Sequence, residues 1–155
     1  MPRVFCFLML LFAVGCAPTA TTPVSGTKPS EKGHTHPEGG PSGGVLATWG
    51  DDEHHAELVT DHTTGEATVF LLDGSATKVT PIDAKTLTLS LKETPVVVVT
   101  LEAKPQDGDP PGHSSRYVGR HDVLKKSKEF SGSITGKAGG KSYTGDFAQK
   151  VVGKK

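Results

Sequence analysis

Thr86-Leu87-Thr88-Leu89-Ser90-Leu91 (TLTLSL) alternates hydroxyl-bearing and aliphatic side chains with a period of two. In an extended chain successive side chains point to opposite faces. Leu87, Leu89 and Leu91 therefore share one face, and Thr86, Thr88 and Ser90 the other. This is the pattern of a half-buried strand, and it sets the reading for the sequence on either side. Downstream, Val96 to Leu101 (VVVVTL) opens without alternation, which predicts a central strand covered on both faces. Pro95 and Lys104-Pro105 bracket it as gatekeepers against aggregation.

Further strands are expected at Val45 to Trp49, His55 to Thr60 and Ala67 to Leu72, separated by turns at Gly50-Asp51-Asp52 and at 61–65. Asp73-Gly74 is a turn dipeptide, and Lys78 to Ile82 reads as an edge strand because Pro81 interrupts it. Gln106 to Gly112 (QDGDPPG) is a loop, and Asp122 to Lys128 forms one or two helical turns. Phe130 to Thr135 and Lys141 to Phe147 flank Gly139-Gly140 as a hairpin, with Phe130 and Ile134 on one face and Tyr143 and Phe147 likewise paired. No long helical periodicity or solenoid repeat is present. The expectation is an all-β domain over residues 45–150: an antiparallel β-sandwich of about seven to eight strands, Ig-like or a partly open barrel.

Composition agrees. Gly at 19 and Pro at 11 are high for a helical protein, and aromatic residues are only 6%. Lys plus Arg equals Asp plus Glu at 17 each in 155 residues, so the basic excess of a nucleic-acid-binding chain is missing. Lys125-Lys126 reads as solvated surface, and 151–155 as a basic tail. Residues 17–44 hold Val24 as their one larger aliphatic side chain. Such a stretch cannot bury enough apolar surface to offset its ordering entropy, so 16–44 reads as a flexible linker.

The amino terminus begins with one positive charge in Met1-Pro2-Arg3, followed by the apolar run Val4 to Val14 (VFCFLMLLFAV). As a helix that run spans about 16 Å, roughly half a bilayer's hydrocarbon core, so residues 1–15 read as a signal peptide and not a membrane span. Ala13-Val14-Gly15-Cys16 resembles the lipobox of bacterial lipoproteins, with Ala13 departing from the usual Leu. The resemblance implies cleavage before Cys16 and a mature end carrying three acyl chains. At about 0.8 kcal/mol per buried methylene these give essentially permanent anchoring. Ala17 after the lipidated Cys implies the outer membrane, facing the periplasm. Cys6 leaves with the signal, so the mature chain has one thiol and no internal disulfide.

Seven histidines form the only unusual reactive inventory: His34, His36, His54, His55, His62, His113 and His121. His34 and His36 lie in the linker at a chelating i, i+2 spacing. Period two places Ala56 and Leu58 toward the core with His54, and His55 and Glu57 toward solvent. His55 and Glu57, joined by His62, are a candidate nitrogen/oxygen site for copper or zinc. The bland alternative is a polar linker and an ordinary polar strand face. His113 and His121 sit in loops. Gly112-His113-Ser114-Ser115-Arg116 is not G-x-S-x-G, and Asp107, Asp109 and Asp122 match a calcium loop in composition but not in spacing. There is no P-loop, G-x-G-x-x-G, H-E-x-x-H or CxxC, and nothing argues for an enzyme.

The stretches Pro41-Ser42-Gly43-Gly44, His55-Ala56-Glu57-Leu58-Val59 and Thr68 to Asp73 resemble small His-containing envelope lipoproteins. They are also similar to amino-terminal regions of periplasmic adaptor subunits of heavy-metal efflux pumps. Ser114-Ser115-Arg116-Tyr117 and Gly140 to Gly145 extend the likeness over about 34–147. Ser42 stands where those adaptor regions carry a histidine. The resemblance implies a β domain and points toward metals.

Two functional classes remain open. One is a non-catalytic, membrane-anchored envelope lipoprotein that binds or buffers a transition metal. The other is an envelope protein-interaction or structural module with incidental histidines. Anchoring has a direct test: labelled palmitate enters the wild-type chain in cells, and Cys16→Ser abolishes labelling. Equal labelling of the variant overturns the anchor.

Overall fold

The computed structural model describes residues 39–126 and 129–149. The signal segment 1–15, Cys16, the linker to residue 38 with His34 and His36, and the tail 151–155 lie outside the described residues. Eight strands form: β1 (Val45–Trp49), β2 (His54–Asp61), β3 (Glu66–Asp73), β4 (Thr86–Leu91), β5 (Val97–Ala103), β6 (Arg116–Arg120), β7 (Phe130–Ala138) and β8 (Lys141–Gln149). A 3-10 turn at Asp122–Lys125 follows β6.

The strands make one sheet in the order β1-β2-β3-β6-β5-β4-β7-β8, with every neighbouring pair antiparallel. β8 returns alongside β1, so the sheet is a nearly closed barrel. The expected all-β antiparallel fold is present, in its partly open barrel form. TLTLSL behaves as its pattern requires: Leu87, Leu89 and Leu91 are buried, and Thr86 and Thr88 are exposed. Those leucines meet Val99 and Leu101 of β5, Val69 and Leu71 of β3, and Ile134 of β7 in one core.

Three readings of the sequence are corrected. β5 has one face in water, where Val96 and Val98 are 65% and 58% exposed. β-branched side chains favour extended backbone without needing burial, so a valine run does not by itself mark a doubly covered strand. Lys78 to Ile82 is not a regular strand and makes only the isolated bridges Leu72↔Val79 and Ile82↔Ser114. It belongs to the crossover that carries the chain from β3 to β4, and Tyr117 pins this crossover by donating its hydroxyl to the Ala84 carbonyl oxygen at 2.9 Å. The third correction is β6: no strand was expected between the loop at Gln106 to Gly112 and the helical turns from Asp122, and Arg116–Arg120 forms one. It fills the gap between β3 and β5.

Closure depends on Trp49. Its indole is fully buried, stacks on Tyr143 of β8 with centroids 5.6 Å apart, and donates from Nε1 to the Ile134 carbonyl oxygen of β7 at 3.0 Å. Room for the ring comes from missing side chains. A Cβ on Gly136 would fall against Leu87 Cδ2 and 2.7 Å from Trp49 Cη2; one on Gly145 would meet the Thr48 carbonyl and lie 2.9 Å from Trp49 Cδ1.

Chemical denaturation checks this arrangement. Trp49→Ala removes a buried aromatic and costs about 3–5 kcal/mol. Gly136→Ala overpacks the same spot and costs about 1–3 kcal/mol. Unchanged midpoints for both variants would remove the indole as the closing element.

Candidate functional site

β2 carries the residues the sequence singled out, and the parity expected of them holds: Ala56 and Leu58 face the core. The opposite face, however, is not in water. His55 is 1% exposed and Glu57 fully buried, which corrects the expectation of solvent-facing ligands. The cover over Glu57 comes from residues 39–44, which fold back onto the barrel wall. The Ser42 and Gly44 N–H groups donate to Glu57 Oε1 at 2.7 and 2.8 Å. A Cβ on Gly40 would collide with the Glu57 carboxyl, so glycine is what lets this segment close down. The linker expected to run to Gly44 therefore gives way to packed structure by Gly39. Glu57 Oε2 is buried without a hydrogen-bond partner among the described residues.

His55 pairs in register with Leu72. Its Nδ1 lies 3.1 Å from the Asp73 carbonyl oxygen, and its Nε2 3.7 Å from Asp52 Oδ1. His62 lies beyond the far end of β2, where Nδ1 is 2.7 Å from the Leu124 carbonyl oxygen and the ring stacks on Phe130 at 6.0 Å. His62 is thus kept apart from His55 and Glu57. No group of three or more His, Cys, Asp or Glu side chains among the described residues is placed to hold a metal ion.

The serines of GHSSR are structural. Both are buried, and Asp109 Oδ2 accepts from the Ser115 and Gln106 N–H groups, each at 2.8 Å, with the Ser115 hydroxyl 3.0 Å away. Desolvation pushes the Asp109 carboxyl up, but these bonds together hold it below its usual value. Asp109 staples its own loop.

A different cluster gathers at one end of the barrel. Lys141 Nζ lies 2.8 Å from both Glu53 carboxylate oxygens, and the Tyr143 hydroxyl donates to Glu53 Oε2. The ammonium sits 4.8 Å from the Tyr143 ring centre, and His54 meets that ring edge-on at 5.5 Å. His54 Nδ1 is buried with no hydrogen-bond partner among the described residues. These groups line a groove of about 550 Å³ whose other wall carries Thr80, Asp83 and His113. The sequence alone places His54 on the core face of its strand and His113 in a loop. Glu53 and Lys141 meet across 88 positions, and local spacing carries no trace of that.

The trio's hydrogen bonds shift the titration of its members. Lys141 first, then Tyr143, holds the Glu53 carboxyl below its ordinary value. The bond to Glu53 raises both the Lys141 ammonium and the Tyr143 phenol. At neutral pH the Glu53 carboxylate and the Lys141 ammonium therefore stay charged and the Tyr143 phenol stays protonated.

Sign and window follow. A depressed carboxylate stabilises the fold above its unfolded value and loses that contribution as pH falls through the folded one; raised donors lose theirs as pH climbs through their folded values. The thermal midpoint of wild type minus that of Glu53→Gln should be positive and flat from above the ordinary Glu value of 4.5 up to the ordinary Tyr value of 10.0. It should shrink at more acid pH and at more alkaline pH. A difference independent of pH would rule out the ionic trio.

No protein-family model, curated protein or solved structure matches the chain.

Proposed function

We propose that the chain is a non-catalytic cell-envelope lipoprotein, held on the membrane through Cys16, whose barrel binds an envelope protein at the rim groove. The anchoring half rests on the signal sequence and its lipobox resemblance. The binding half is carried by the Glu53–Lys141–Tyr143 trio with His54 around one groove. Tyr143 is itself buried against Trp49 and braces the exposed Glu53–Lys141 pair, whose charges set orientation at the groove. Inside the barrel, Trp49, Tyr117, Leu71, Leu89 and Leu101 occupy the core, so recognition falls to the exterior.

A metal-buffering role would rest on His34 and His36. Glu57 and His55 are already engaged with backbone and neighbouring groups. One set of experiments separates the two readings. Photo-crosslinking residues at positions 80 and 113 should capture a protein in intact cells, whereas position 63, in the turn at the other end of β2, should not. Equal capture from position 63, or none anywhere, sinks the rim as a docking site. In calorimetry on the purified chain, Cu(II) or Zn(II) binding at about micromolar strength that His34→Ala/His36→Ala abolishes would put metal buffering first.

A further inference from the structure

β4 and β7 are paired over Thr88–Leu91 and Gly132–Thr135 and then part, although both strands continue. Lys92 N–H donates to the Ser131 carbonyl oxygen, which fixes the phase of the ladder. In an antiparallel pair the backbone groups of every second residue point to the same neighbour. On that count Thr88 and Thr135 exchange bonds, and Thr86 and Lys137 should form the next bonded pair. They do not pair. The Lys85 carbonyl oxygen accepts from Ala103 on the β5 side, in agreement with that phase. The N–H and C=O of Thr86 and of Lys137 therefore point toward the other strand without forming a ladder pair, and both residues line one groove. Beyond it the two segments are joined again, where Gly139 N–H donates to Asp83 Oδ1 at 3.0 Å.

This groove has a volume of about 460 Å³ and adjoins the rim groove, with Asp83 lining both. Its walls carry Thr86, Thr88, Thr135 and Ser142, together with Lys85 and Lys137. Neither lysine makes an ion pair with a described residue.

We propose that this groove binds the carboxy-terminal end of an extended peptide, its last amides bridging Thr86 and Lys137 and its carboxylate held between Lys85 and Lys137. Two backbone donor–acceptor sets, one on each side, match the N–H and C=O of an inserted peptide unit, as in strand addition. The ammonium groups and hydroxyls supply donors for an oxyanion. The volume suits a dipeptide-sized ligand. The proposal stands whether or not the rim groove has a partner.

The test uses the isotope-labelled full chain in detergent, titrated with N-acetyl-alanyl-alanine, with its carboxy-amide, and with acetate and inorganic phosphate as bare anions. The free acid should shift the backbone amides of Thr86 and Lys137 and saturate below about 10 mM. The carboxy-amide and both bare anions should bind at least about tenfold more weakly. Lys85→Gln/Lys137→Gln should weaken the acid by the same factor, while Lys92→Gln leaves it unchanged. Equal affinity for acid and amide, equal affinity for a bare anion, indifference to the double substitution, or no shift at Thr86 and Lys137 each overturns it.

Discussion

The barrel closes because one indole fills the seam that its strand ladder leaves open. β1 and β8 lie side by side without pairing in the sheet, so hydrogen bonding does not complete the circle. Trp49 does this from inside, tied to β7 through the Ile134 carbonyl and to β8 through Tyr143. Buried aromatics contribute most where their one polar atom finds a partner, and here the N–H bond also fixes the ring's angle. Gly136 and Gly145 are the necessary counterpart, since side chains there would occupy the space of the ring or of the Thr48 carbonyl. The same stack carries the chemistry at the surface. Tyr143 is held flat against Trp49 while its hydroxyl reaches Glu53, so the rim trio is positioned by the element that closes the fold.

Glu57 shows a second constraint. A carboxylate on the outer wall of a strand would ordinarily be solvated, and burying one is costly unless it is hydrogen-bonded. The Ser42 and Gly44 N–H groups meet that demand at Oε1, while Oε2 has no hydrogen-bond partner among the described residues. A side chain that reads as a surface ligand instead holds residues 39–44 against the barrel wall. It also removes a ligand from any metal site on this wall, because coordination through Oε1 would compete with two backbone donors already in place.

Legibility followed the range of each interaction. TLTLSL and the hairpin at Gly139-Gly140 were readable because alternation and turn chemistry are local, and the parity of His55 and Glu57 was right for the same reason. What lay over that face was not readable, because Gly40 and Ser42 look like linker until Glu57 is placed beneath them. β6 escaped notice because in RYVGR only Tyr117 is fully buried, which is too little for a periodic pattern. Val96 and Val98 misled in the other direction, since valine marks an extended backbone as readily as a core. The rim trio was invisible for a simpler reason: Glu53 and Lys141 come together only when β8 returns to β1.

The two ends and the walls of the barrel differ chemically, and topology explains the difference. The β4–β5 and β7–β8 walls present hydroxyls, with Thr88 in register with both Thr100 and Thr135, and Thr135 with Thr144. Short neutral side chains of this kind satisfy a solvated β surface without a field. At the rim groove the crossover from β3 to β4 passes the β1–β2 and β7–β8 turns, and ionised and aromatic groups from separate segments converge there. Loops that converge on a rigid scaffold can vary in sequence without disturbing the core, which is why binding surfaces on barrels gather at such ends. In this chain the end in question is also the one braced by Trp49, which holds Tyr143 and, through it, Glu53 in fixed positions.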